Sequence, residues 1–149
     1  MKTIIITILL ISTLFAELKI GDTFPTIPLI DQFDKKIELP MKSSTVVMVS
    51  FEKEVSKAIN AFLESKDKAF LKENNITYIS DISTVPSFLM NWIVLPKLKK
   101  LSFSVALIYG EEGEHLNHQE GKVSVFRVKD AQVVDIKFLE ATELEKNKL

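Results

Sequence analysis

The side chains able to do chemistry fall into three small groups, and none of them contains a cysteine, because the chain has none. Glu52 and Asp81 each follow a β-branched run, so a sheet would bring both to the same edge. Two carboxylates buried close together share one proton, which raises one pKa into the range useful for acid or base work. The same residues, with Lys53 and Ser83, also suit a plainer role. An acid at a helix entrance complements the positive helix end, and Asp81 and Ser83 can cap a loop. His115 and His118, the only histidines, form H-x-x-H within the acidic stretch EEGEHLNHQE. Neutral imidazoles beside carboxylates suit zinc, nickel or copper, provided a turn aims both rings inward; otherwise the stretch is a hydrated loop. Ser50, Ser56 and Ser104 lack a G-x-S-x-G elbow and a positioned base, so no catalytic residue is assigned among them.

The elements that must hold these groups follow from hydropathy. Residues 45–51 (TVVMVSF) are continuously apolar and β-branched, the pattern of a central strand buried on both faces. From 53 to 74, Val55, Ala58, Ile59, Phe62 and Leu63 keep helical spacing, with a break expected at 65–67. Residues 76–82 and 103–109 read as further strands. Segment 21–31, with Pro25 and Pro28, suits a sheet edge, and 32–35 form a turn before a return at 36–39. After a polar excursion over 110–122, the runs 123–129 and 133–139 alternate around a short turn at Asp130 and Ala131 and predict an antiparallel hairpin. A short closing helix is expected over 142–149.

Residues 86–101 form the least ordinary element. Ser83, Thr84 and Pro86 supply a helix start, and Pro96 a kink. Phe88, Leu89, Met90, Trp92, Ile93, Val94 and Leu95 are too many apolar residues for one helical stripe. Either the N-terminal hairpin covers the second face, or Phe88, Trp92 and Leu95 are offered to a partner, a lipid or an apolar ligand.

Residues 1–16 have the form of a signal peptide: Lys2, an apolar run from 3 to 15, and Ala16 at the expected cut. The mature chain then begins at Glu17 and is one domain over 17–149, expected in the periplasm. No cysteine at the junction offers a lipid anchor. Leu14 is large for its place in the cleavage site and leaves an uncut, anchored form as the alternative. The net charge of −1 includes no basic block, which argues against nucleic acid, and no glycine-rich phosphate loop is present.

Gly21, Asp22, Thr23, Phe24 and Pro25, followed by Leu29, Ile30, Asp31, Gln32, Phe33, Asp34, Lys35 and Lys36, resemble the opening hairpin of peroxiredoxins and exported thiol-disulfide proteins. Asp34 stands where that pattern has glycine. The resemblance implies a thioredoxin-like α/β fold: three layers, a central mixed sheet and an N-terminal β-hairpin. It further implies that 103–109 run antiparallel to 45–51. The family's catalytic cysteine would fall in the stretch Phe51, Glu52, Lys53, Glu54, Val55, Ser56, Lys57, and its cis-proline near Phe103 or Ser104. This sequence has neither. It also resembles a group of small exported bacterial proteins of this fold that lack the thiols, some of which carry a flavin-dehydrogenase name.

Three readings follow. The first is an exported non-redox protein, without a cofactor, that binds an envelope protein through Glu52, Asp81, Ser83, Phe88, Trp92 and Leu95; membrane contact ranks behind a protein partner. The second is an enzyme on the same scaffold, such as a flavin-dependent dehydrogenase using FAD or FMN. The third is a metal-binding protein acting through His115 and His118. Thiol-disulfide exchange and thiol peroxidase chemistry are excluded for this chain, since both require a nucleophilic sulfur.

Overall fold

The continuously apolar run forms β3 (Thr45–Ser50), buried at every position and set inside a mixed seven-stranded sheet. The computed structural model describes residues 17–39 and 44–147. The expected signal segment, 1–16, lies outside the described residues. Strands β1 (Leu29–Asp31) and β2 (Lys36–Ile37) form the N-terminal hairpin, and β4 (Ile76–Asp81) and β5 (Ala106–Ile108) follow. The alternating pair at the end becomes β6 (Val123–Lys129) and β7 (Gln132–Leu139). The spatial order is β2-β1-β5-β4-β3-β6-β7.

Strand directions depart from expectation at one place. β3 and β4 are parallel, as a helical crossover requires, but β5 is also parallel to β4 and therefore runs with β3. The antiparallel neighbour of β3 is β6. The segment between β4 and β5 is itself a helical crossover, and a crossover returns the chain in its original direction. The loop entering β6, at Gly121 and Lys122, thus takes the position that the resemblance had assigned near Phe103 or Ser104. It too lacks a proline.

Helix α1 (Lys53–Glu64) buries Val55, Ile59 and Leu63, four residues apart, against the sheet and ends at Ser65, whose hydroxyl donates to the Phe62 carbonyl at 2.6 Å. The expected break follows, then the single turn α2 (Phe70–Glu73). Residues 87–98 comprise α3 (Ser87–Leu89), a π-turn (Met90–Val94) and α4 (Leu95–Leu98). Pro96 has no N–H to return to the Trp92 carbonyl, and the Leu95 N–H donates to Met90, five residues back. The proline therefore widens a turn instead of ending the helix. At the C-terminus, the expected closing helix is reduced to a 3₁₀ turn (Ala141–Glu143), whose Glu140 and Glu143 cap each other reciprocally.

Both α1 and 87–98 pack on one face of the sheet, over Met48, Tyr78, Val105, Leu107, Val123 and Val125. The opposite face, with Val47, Val49, Ile79, Ile108 and Phe126, is covered by Phe24, Ile27 and Leu39 of the N-terminal segment and by Leu116 of the 110–122 loop. Three layers result, and the third is irregular chain. The N-terminal segment also runs along the outer side of β7: Gly21 and Phe24 donate to the carbonyls of Val133 and Ala131, and Val133 donates back to Asp22.

Candidate functional site

Parallel strands β3 and β4 end in register, with Ser50 beside Ser80, and the chain leaves β3 through Phe51 and Glu52 into α1. This junction is where the resemblance placed a reactive sulfur. It holds a chain of hydroxyls instead. Ser50 Oγ lies 2.8 Å from Ser56 Oγ and 3.1 Å from the Tyr78 phenol, and Ser56 Oγ lies 3.3 Å from Ser80 Oγ. Burial pushes the Tyr78 phenol above its ordinary pKa, against the opposing effect of its serine neighbours, so it stays a neutral hydroxyl. The cluster satisfies itself, and His118 turns to Glu52 instead.

Glu52 occupies the N-cap of α1 without capping it. Its carboxylate turns away from the helix and accepts the Gly121 N–H at 2.8 Å, with His118 Nε2 at 3.1 Å from the same oxygen. Gly121 has φ +70°, a left-handed conformation that glycine adopts without the cost a Cβ imposes. The His118 ring also lies against Phe51, centroids 4.7 Å apart. One carboxylate thereby fastens the end of the 110–122 loop to the start of α1. The Gly121 N–H and His118 hold Glu52 below the ordinary carboxylate pKa, so it is ionised at neutral pH.

The expected proton-sharing pair is not formed. Glu52 is committed to the loop through the Gly121 N–H, and Asp81 accepts the Ser83 N–H at 2.9 Å. Asp81 and Ser83 therefore cap the loop after β4. Nor do helices depart to opposite faces here, since α1 and 87–98 pack on the same side. The crevice is walled instead by the loop: a cleft of about 410 Å³ lined by Phe51, Asp81, Ser83, Tyr109, Gly110, Glu111, Gly113, Glu114, Leu116 and His118. Gly113 packs closely in that wall: a Cβ there would lie 3.0 Å from Asp81 Oδ2 and 3.2 Å from Ile108 Cδ1, so either side chain would have to shift slightly.

The lining includes three carboxylates and no lysine or arginine. A flavin nucleotide, whose phosphates need cationic or N–H-rich cradles, fits this donor set poorly. Among the described residues no three metal-ligating side chains are gathered. His118 directs Nε2 at Glu52, and His115 is an exposed loop residue outside the cleft lining.

On the helix, Phe88 and Trp92 are 67% and 83% exposed. Leu95 is the exception among the expected partner residues, being half-buried and packed on the core with Val94. The N-terminal hairpin does not cover the outer face; it touches this element at its end, where Gln32 Nε2 donates to the Leu98 carbonyl at 3.3 Å. Sequence reasoning missed Phe51, Tyr109 and Gly121 in the cleft and its clasp. The signal for Gly121 was available, as a lone glycine before an alternating strand marks a left-handed turn.

No protein-family model matches the sequence, and no curated protein matches it significantly. Solved structures do resemble it. StoA from Bacillus subtilis aligns with a TM-score of 0.57 at 13% identity, covering 82% of this chain and 95% of that one. Peroxidoxin BcpB from Mycobacterium tuberculosis gives 0.57 at 14% identity, covering 87% and 93%. The thioredoxin domain of a thiol-disulfide oxidoreductase from Bacteroides vulgatus gives 0.54 at 14% identity, covering 87% and 98%.

Proposed function

From the premise that this chain has a thioredoxin-like fold and no cysteine, we propose that it is an exported non-redox protein that binds an envelope protein at the carboxyl edge of its sheet. The observation that carries this reading is the Glu52 clasp. At the β3–α1 junction a carboxylate joins loop to helix, and beside it lies a cleft with aromatic walls and acidic groups. No activated nucleophile accompanies it. Hydroxyls that hydrogen-bond one another bind and shape; they do not exchange electrons. A polypeptide segment carrying lysine or arginine would meet Asp81, Glu111 and Glu114 with opposite charge and lay its aliphatic stem against Phe51 and Tyr109.

Crosslinked capture from the host's envelope fraction tests this, comparing the parent protein with Asp81→Lys combined with Glu114→Lys. The parent should retain one dominant protein and the charge-reversed variant should lose it. Equal capture by both would overturn the cleft as the binding site. Insulin reduction and peroxide consumption should equal the buffer blank, and the purified protein should show no flavin absorbance. Export is tested on the same material. Sequencing should find Glu17 at the N-terminus, and a chain still beginning at Met1 would refute cleavage.

A further inference from the structure

The outer face of residues 87–98 serves neither the core nor the cleft. Met90 and Leu98 are buried and Leu89, Val94 and Leu95 half-buried, so one side of this element faces the sheet. On the other side Phe88, Trp92, Pro96 and Lys100 recur at four-residue spacing, all exposed, with Ile93 and Lys97 beside them. Ile93 is 45% exposed. Charge on this segment is one-sided. From Ile82 to Gly110 the sequence holds Lys97, Lys99 and Lys100 and no acidic residue, in a chain whose net charge is −1. The neighbouring hairpin adds Phe33, 55% exposed, with Lys35 and Lys36 and two exposed acids, Asp34 and Glu38. Asp31, also on that hairpin, is buried and engaged with Ser104.

Aromatic side chains on a short helix, flanked by lysines without acids, are the chemistry of a surface that lies at a lipid headgroup boundary. The segment is too short to cross a bilayer, and no helix among the described residues is long and apolar enough to do so. We propose that this face seats the protein on an anionic bilayer surface, Phe88, Trp92 and Ile93 entering the headgroup region while Lys97, Lys99 and Lys100 meet lipid phosphates. A protein partner at this face is the rival, and the charge pattern favours lipid. Three cations and no acid complement a uniformly anionic surface, each lysine contributing about fivefold in affinity at low salt.

Trp92 is the only tryptophan, so intrinsic fluorescence reads this face alone. The chain from Glu17 onward, which carries every described element, should show a blue-shifted emission with vesicles of phosphatidylglycerol and phosphatidylethanolamine, and should sediment with them. Phosphatidylcholine vesicles should bind at least tenfold more weakly, and added salt should release the protein. Replacing Lys97, Lys99 and Lys100 with glutamine should lower binding by about a hundredfold, each lysine counting as above. Trp92→Ser should weaken sedimentation while melting within about 2 °C of the parent, since an exposed side chain leaves no cavity. Absence of binding to anionic vesicles, equal binding to phosphatidylcholine, or a blue shift that appears on self-association without lipid would each overturn the proposal. So would a captured protein that protects Trp92 while vesicles do not.

Discussion

Two of the carboxylates that fasten loops in this molecule differ sharply in burial. Asp31, 4% exposed, accepts the N–H groups of Phe33 and Lys35 at 2.8 and 3.0 Å and the Ser104 hydroxyl at 3.0 Å. Beside it Gln32, 1% exposed, donates to the Phe103 and Leu98 carbonyls and accepts the Val105 N–H. Glu52 accepts one N–H and one imidazole, with its side chain 36% exposed and that of His118 41%. The bonds are alike in length. Removing a buried partner strands the groups it served without water, whereas water replaces a lost partner at the surface. The first turn is thus a structural fastener, and the second a clasp that can open at small cost.

Gln32→Ala would show this contrast most strongly. It leaves the Val105 N–H and two carbonyls without their side-chain partner, and urea unfolding should record a loss of about 3 kcal/mol. A loss under about 1 kcal/mol would erase the distinction between the turns. Asp31→Asn should cost about 1–2 kcal/mol at pH 7, as a charged acceptor becomes neutral. Its pH dependence sharpens the test. Burial alone would raise the Asp31 pKa, but the Lys35 and Phe33 N–H groups, the Ser104 hydroxyl and the Lys35 charge outweigh it and hold the folded value below 3.8. Its contribution is therefore complete above the unfolded-state value and disappears as pH falls through the lower folded one. The gap between parent and variant should close in acid.

Glu52→Ala should cost under about 1 kcal/mol, because the groups it frees reach solvent. Its larger effect is local. Hydrogen exchange at the Gly121 amide should accelerate while the β3 amides stay protected. The smallest effect is expected of His118→Ala, within about 0.5 kcal/mol in thermal melts, since the Gly121 N–H still holds Glu52. If His118→Ala proved as costly as Gln32→Ala, the clasp would be core structure and its claim to a binding role would fall.

What the sequence revealed and what it hid divide along the distance between interacting residues. β3, the break after α1 and the β6–β7 hairpin were legible, because an apolar run, helical spacing and alternation are written in neighbouring residues. Counting more apolar residues than one stripe can bury left two alternatives, a second face covered by the N-terminal hairpin or an exposed one, and Phe88 and Trp92 take the second. The direction of β5 was misread, although the helical crossover before it was in view, because a family expectation was preferred to the local rule. Gln32 could be placed in a turn, but its carbonyl and N–H partners lie 66 to 73 residues away and leave no periodic trace. Glu52 was correctly put at a helix entrance, and its engagement with Gly121, 69 residues on, was equally invisible.

The strip of backbone from Gly21 to Phe24 along β7 sets an order of events. The Gly21–Phe24 segment is made before the sheet and β7 after every other strand, so the cover over the start of β7, at Gln132 and Val133, forms only once β7 itself has emerged. An uncovered strand edge is a template for pairing between molecules. Nascent chains that stall before Gln132 leave the N-terminal segment without its strand. That contact is a late one to become possible during synthesis, and it shortens the edge that β7 would otherwise offer to another molecule.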